Sequence, residues 1–209
     1  MGRRARRASW PLLVLVAIAL ALWLAERLRP LDRPASEGGR YQRFEGCRWV
    51  GHRQNDGDSF RVRLPDGRVE QFRLYFVDAP ESAFRRYRGG RDNHRRIADQ
   101  AAAFGVDPER AVEIGRAAKR FVHERLGERS FTLHTEWDDP FGDRRYHAFV
   151  EVPATGEGWL HEQLVGAGLV RIHTKGAALP DGRSERQQER RLRELEQQAR
   201  ARGLGGWAE

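Results

Sequence analysis

The chain has 209 residues, a formal charge of +8 and a mean hydropathy of −0.75. That length holds one domain with a sizeable core and excludes two large ones once the ends are set aside. Cys47 is the single cysteine, which excludes an intrachain disulfide and a cysteine-based zinc site. The basic balance favours a polyanionic partner, although Arg3, Arg4, Arg6 and Arg7 carry half of the net charge and suit a targeting segment equally well. All cations except Lys119 and Lys175 are arginine, the side chain that forks onto phosphate; codon bias explains the same preference.

In chain order, four arginines precede an uncharged run from Ala8 to Ala25, the layout of an export signal or a signal anchor. Leu22-Trp23-Leu24 prolongs the apolar run past the small residues at Ala19-Leu20-Ala21, so an uncleaved membrane anchor over residues 1–25 is expected, with cleavage and secretion as the alternative. The positive-inside rule then places everything after Glu26 outside the cytoplasm. Pro30, Pro34, Ser36, Gly38 and Gly39 mark residues 26–40 as a linker, and a soluble domain is expected over 41–209.

Within that domain, Phe44 to His52 is the first candidate strand, and Ser59 to Leu64 alternates polar and apolar residues as a half-buried strand does. Leu64-Pro-Asp-Gly-Arg68 is a tight turn into a third strand, Val69 to Val77, which is expected to set Phe72, Leu74 and Phe76 on one face and Gln71, Arg73 and Tyr75 on the other. Helical spacing follows from Arg91 to Phe104, and Asp107-Pro108 opens a second helix that stops at Gly127. Strands return at Ser130 to Trp137 and Arg145 to Val152. A short helix from Trp159 to Ala167 and a long charged one from Ser184 to about Arg202 complete the order. Five strands with a helix between the third and fourth and helices at the end predict an α+β chain, mainly β, built on a five-stranded Greek-key barrel of the OB type.

Two segments carry chemistry: Asp56-Gly57-Asp58-Ser59-Phe60 and the run from Arg73 through Asp78-Ala79-Pro80-Glu81. Each has an ordinary reading, a hairpin turn for the first and a turn opening a helix for the second. Adjacent strands of one meander, however, bring Asp58 and Asp78 side by side, where two carboxylates repel unless a hard cation sits between them. Oxygen donors without Cys or His suit calcium or magnesium rather than zinc. His161-Glu162 does not begin a His-Glu-x-x-His pair, and Ser59 and Ser82 have no placed histidine partner. The basic run Arg85 to Arg96 reads as a nucleic-acid-facing arm or, equally, a solvated insertion.

These residues closely resemble the staphylococcal-nuclease (thermonuclease) family. The resemblance rests on D-G-D-S-F and on F-R-L-Y-F-V-D-A-P-E at residues 72–81. It continues through Ile114-Gly115 to Phe121, Arg145 to Val150, Leu164 to Leu169 and Gly205-Gly206-Trp207, leaving out the stretch near Ala83 to Val106. It implies that Asp58 and Asp78 ligate Ca²⁺ and that Ala79 adds its backbone carbonyl. It also implies that Glu81 orients or deprotonates the attacking water, and that Arg73 and a second arginine hold phosphate oxygens. Counting back from Ala148-Phe149-Val150 selects Arg145 for that second role; counting forward from Phe141-Gly142 selects Arg144. Two departures stand out: no tyrosine occurs at His173-Thr174-Lys175, and Phe141 replaces a stacking tyrosine.

The implied activity is calcium-dependent endonucleolytic hydrolysis of single-stranded DNA or RNA, leaving 3′-phosphates, by a monomer that is membrane-anchored or exported. The rival readings are a barrel that binds nucleic acid without cutting it and a membrane-anchored interaction scaffold.

Overall fold

The computed structural model describes residues 40–152 and 158–208. The expected anchor at 1–25 and all of the linker except Arg40 lie outside the described residues. Among the described residues, no helix is long and apolar enough to cross a membrane.

Five strands form one sheet: β1 (Gln42–Val50), β2 (Ser59–Arg63), β3 (Val69–Leu74), β5 (Ser130–Thr135) and β6 (Arg145–Glu151). Their order is β1-β2-β3-β6-β5, and β5 pairs back onto β1, so the sheet closes on itself. The first three strands are the expected antiparallel meander, whereas β3 and β6 run parallel. The β2–β3 turn forms as its sequence dictates: Gly67 takes φ 87° and Leu64 N–H donates to the Arg68 carbonyl at 2.8 Å. Alternating apolar residues fill the interior, with Phe60, Phe72, Leu133 and Phe149 fully buried.

Among the described residues four α-helices accompany this sheet: α1 (His94–Phe104), α2 (Pro108–Leu126), α3 (Leu160–Gly166) and α4 (Glu185–Ala201). The Asp107 carboxylate caps α2 by accepting from Arg110 N–H, with Pro108 at the first helical position. Ser184 and Gln187 form a reciprocal capping box on α4. Helix α1 begins later than the expected Arg91, because Arg86 and Asp92 bridge as antiparallel neighbours in the preceding loop.

The third expected strand needs correction. It does not run unbroken to Val77 but ends at Leu74, and Phe76 turns the chain with φ 69°. The kink is held by Phe76 N–H donating to the Lys175 carbonyl at 2.9 Å and by the Phe76 carbonyl accepting from His173 N–H at 2.8 Å. Beyond it, β4 (Val77–Asp78) pairs with β7 (Arg171–Ile172) as a separate two-stranded sheet. The expected separation of Tyr75 from Phe76 also fails, since both are buried. Tyr75 stacks on Phe149 and donates its hydroxyl to Glu136 at 3.1 Å, while Phe76 stacks on His161. Both faces of this segment are covered, so alternation no longer separates inside from outside.

Candidate functional site

The site is assembled where β2, β3 and β4 meet α1 and α2. Ser59 pairs with Arg73 across the meander, and Leu74 N–H donates to the Asp58 carbonyl at 2.8 Å, so Asp58 lies beside Arg73. The loop before Asp58 is fixed by Asn55, which donates to the Val50 carbonyl at 2.8 Å and accepts from Arg61 N–H at 3.1 Å. Two glycines allow helix α2 to press against this loop and against the Pro80–Glu81 backbone. A Cβ on Gly57 would lie 2.5 Å from the Cβ of Ala118, and one on Gly115 would lie 2.3 Å from the Pro80 carbonyl oxygen. The kink at Phe76 then carries Asp78 back toward Asp58.

At the centre a single guanidinium nitrogen, Nη2 of Arg73, donates to Asp58 Oδ2 and to Asp78 Oδ1, each at 2.8 Å. All three side chains are buried. Ala79 N–H donates to Asp58 Oδ2 at 3.2 Å, and the Ala79 carbonyl accepts from Gln100 Nε2 at 3.0 Å. Glu81 pairs with Arg96 Nε at 2.9 Å. Register places Arg145 opposite Gln71 on the parallel β3–β6 pair, on the same face as Arg73. Arg145 lines a cleft of about 420 Å³ together with Asp56, Asp58, Arg73, Glu81 and Arg96. Of the two candidates for the second arginine, Arg145 is the one in this cleft. Arg144 turns the backbone with φ 60° and donates its N–H to Asp139.

Sequence reasoning missed four further participants. Gln100 is fully buried; it donates to Asp78 Oδ2 and the Ala79 carbonyl and accepts from Glu81 N–H, each at 3.0 Å. Arg96 and Arg171 donate to Asp78 at 2.9 Å each. Asn93 reaches Glu81 Oε2 at 3.4 Å and the Ala83 carbonyl at 2.9 Å. Gln100 had a signal: with Ile97, Ala101 and Phe104 it falls on the buried face of α1, where an amide needs a polar partner. Arg171 had none, because its partner lies 93 positions away.

The electrostatics divide the acids. Burial pushes Asp58 above the usual carboxylate range, opposed by Arg73 and reinforced by the charge of Asp78. Burial acts on Asp78 in the same sense, but the Gln100 hydrogen bond and the charges of Arg96, Arg171 and Arg73 outweigh it and hold Asp78 low. Asp56 is pushed up to about 7 by burial and by the neighbouring charges of Asp58 and Glu81.

The donor set fits a hard divalent cation in its chemistry. Two aspartate oxygens converge on one point, now taken by a guanidinium nitrogen, and the nearby acids carry negative charge that burial disfavours. Among the described residues no three His, Cys, Asp or Glu side chains group as a metal cluster. No protein-family model matches the chain, and neither does any curated protein sequence.

Proposed function

We propose that the chain is a divalent-cation-dependent phosphodiesterase of the staphylococcal-nuclease type, on an OB-type barrel, hydrolysing single-stranded DNA or RNA. The observation that carries this reading is the convergence of Asp58 and Asp78 on Arg73, with Asp58 and Arg73 lining the cleft that also holds Glu81 and Arg145. Calcium held by Asp58 and Asp78, with the Ala79 carbonyl as a further oxygen donor, would screen the charge of the phosphodiester.

The chain's own residues supply the rest. Arg73 and Arg145 hold the non-bridging phosphate oxygens and stabilise the charge that builds up as water attacks. Glu81 orients that water and accepts its proton, while Arg96 beside it keeps the carboxylate in place. Water adds to phosphorus and the P–O5′ bond breaks; the departing 5′-oxygen takes a proton from solvent to leave as a 5′-hydroxyl, and the other product keeps a 3′-phosphate. The same proposal includes an exported or membrane-anchored monomer with its cleft outside the cytoplasm.

One observation favours a second reading, a nucleic-acid-binding module without catalysis. Three guanidiniums, of Arg73, Arg96 and Arg171, donate to Asp78 and compete with a cation for it. The test uses the purified full-length chain and a single-stranded 16-nucleotide DNA, with calcium, with chelator, and with Glu81→Gln. Cleavage should require calcium and fall about 10²- to 10⁴-fold in Glu81→Gln. Binding without cleavage selects the module; cleavage that persists in chelator or in Glu81→Gln overturns the site assignment.

A further inference from the structure

From Phe84 to Arg96 the chain carries six arginines against one aspartate, and it folds as a small hairpin-like loop. Arg86 and Asp92 bridge as antiparallel neighbours, and Tyr87 N–H donates to the Arg91 carbonyl at 2.7 Å. Gly89 and Gly90 close the tip with φ 85° and 78°, a conformation that glycine adopts without strain. The base of this small arm is tied to the candidate site by Asn93. That side chain accepts from Arg85 N–H at 2.7 Å and reaches the Ala83 carbonyl and Glu81. The arm is therefore an ordered loop whose root is shared with the candidate site.

Its surface is unusual for a solvated insertion. Only four large hydrophobic residues are exposed among the described residues, and two of them, Phe84 at 42% and Tyr87 at 48%, stand on this arm. Phe84 is steadied by His94, edge to face at 5.2 Å, rather than buried. Arg86, Arg88, Arg91 and Arg95 are exposed, and among the described residues none of them pairs with a carboxylate. Helix α4 shows the contrast: its arginines alternate with glutamates and pair along the helix, Arg200 with Glu196 and Arg191 with Glu194. Uncompensated cations interleaved with exposed aromatic rings are the chemistry that holds a single strand, with bases stacked on the rings and phosphates beside the guanidiniums. Arg85 and Tyr87 also line the cleft that holds Asp58 and Glu81, so a strand lying on the arm runs continuously into the site.

We infer that the arm from Phe84 to Arg95 is a binding platform for the single-stranded nucleic acid that flanks the bond being cut, with Phe84 and Tyr87 stacking bases. The inference deepens the phosphodiesterase reading and rests on it for the identity of the ligand. A duplex keeps its bases inside the stack and offers the rings nothing, so the platform discriminates for unpaired strands.

The test measures binding of a fluorescein-labelled 16-nucleotide oligothymidylate to the full-length protein in chelator, where the strand stays intact. Phe84→Ala/Tyr87→Ala should weaken binding roughly tenfold or more while leaving its salt dependence unchanged. Arg88→Ala/Arg91→Ala should instead reduce the slope of log affinity against log salt by about 1.4. A matched duplex should not distinguish wild type from the aromatic double variant. Unchanged oligothymidylate affinity in Phe84→Ala/Tyr87→Ala overturns the platform, as does an equal loss for the duplex. Labelled polyglutamate bound as tightly as the oligonucleotide also overturns it, marking the arm as a surface for acidic proteins. Cleavage by wild type in calcium is read separately. Cutting with unaltered variant binding removes only the platform, and variant-sensitive binding without cutting removes only the hydrolase.

Discussion

His161 and Asp78 are both buried, at 0% and 2% exposure, yet their surroundings are built on opposite plans. His161 lies among Phe76, Phe149 and Trp159, with Gln188 as its polar neighbour. Arg183 donates to Gln188 Oε1, which turns the amide Nε2 toward His161 Nε2 at 2.8 Å and makes that ring nitrogen the acceptor. Burial then lowers the His161 pKa to about 3, so the ring is neutral. Asp78 is instead ionised and surrounded by donors: Arg73, Arg96, Arg171 and Gln100. One pocket buries polarity by neutralising it, as a structural core does. The other gathers charge beside the candidate site, an arrangement that costs desolvation.

The comparison breaks first at Arg73. Arg73→Ala should destabilise the protein by about 3–5 kcal/mol in urea unfolding with chelator, because Asp58 keeps its buried carboxylate without a charged partner. Calcium should recover part of that loss; a neutral result would show that the cluster is not held by ion pairing.

The His161 pocket is probed by pH. Its folded pKa lies below the unfolded value of 6.5, so its contribution is present above that pH and is lost as pH falls toward about 3. Between pH 6.5 and 4 this amounts to about 3 kcal/mol, and His161→Leu should flatten the acid side of the stability curve by that amount. An unchanged acid profile in the variant would refute the neutral-core account.

Gln100→Leu should cost about 2 kcal/mol, since it strips a partner from Asp78, the Ala79 carbonyl and Glu81 N–H together. It should also weaken calcium binding measured by calorimetry, an effect absent from Gln188→Leu in the other pocket. The smallest effect belongs to Arg144. Its left-handed backbone and its place outside the cleft predict that Arg144→Gly stabilises by about 0.5 kcal/mol, read from the melting temperature, without lowering any cleavage rate.

Much of the candidate site was legible because its members sit close in sequence or at fixed strand positions. Asp58, Arg73, Asp78 and Glu81 flank one meander, and the register of Ala148-Phe149-Val150 pointed to Arg145 with Arg144 as the alternative. Arg96 and Arg171 were not legible, because each reaches Asp78 from an element whose packing no local pattern encodes; for Gln100 the buried face of α1 was legible but its partners were not. The third strand shows the same limit within the fold: alternation through Phe76 extends it, whereas hydrogen bonds to residues 173–175 break it.

By itself the sequence determined the strands, the capped helices and the acids that face one another, since periodicity, caps and turn residues act over a few positions. Only the tertiary structure decided that Arg73 lies between Asp58 and Asp78, that Arg145 rather than Arg144 enters the cleft, and that α1 supplies Gln100 to three groups at once. Those outcomes depend on the pairing of β5 back onto β1 and on the kink at Phe76, which are set by contacts between residues far apart in the chain.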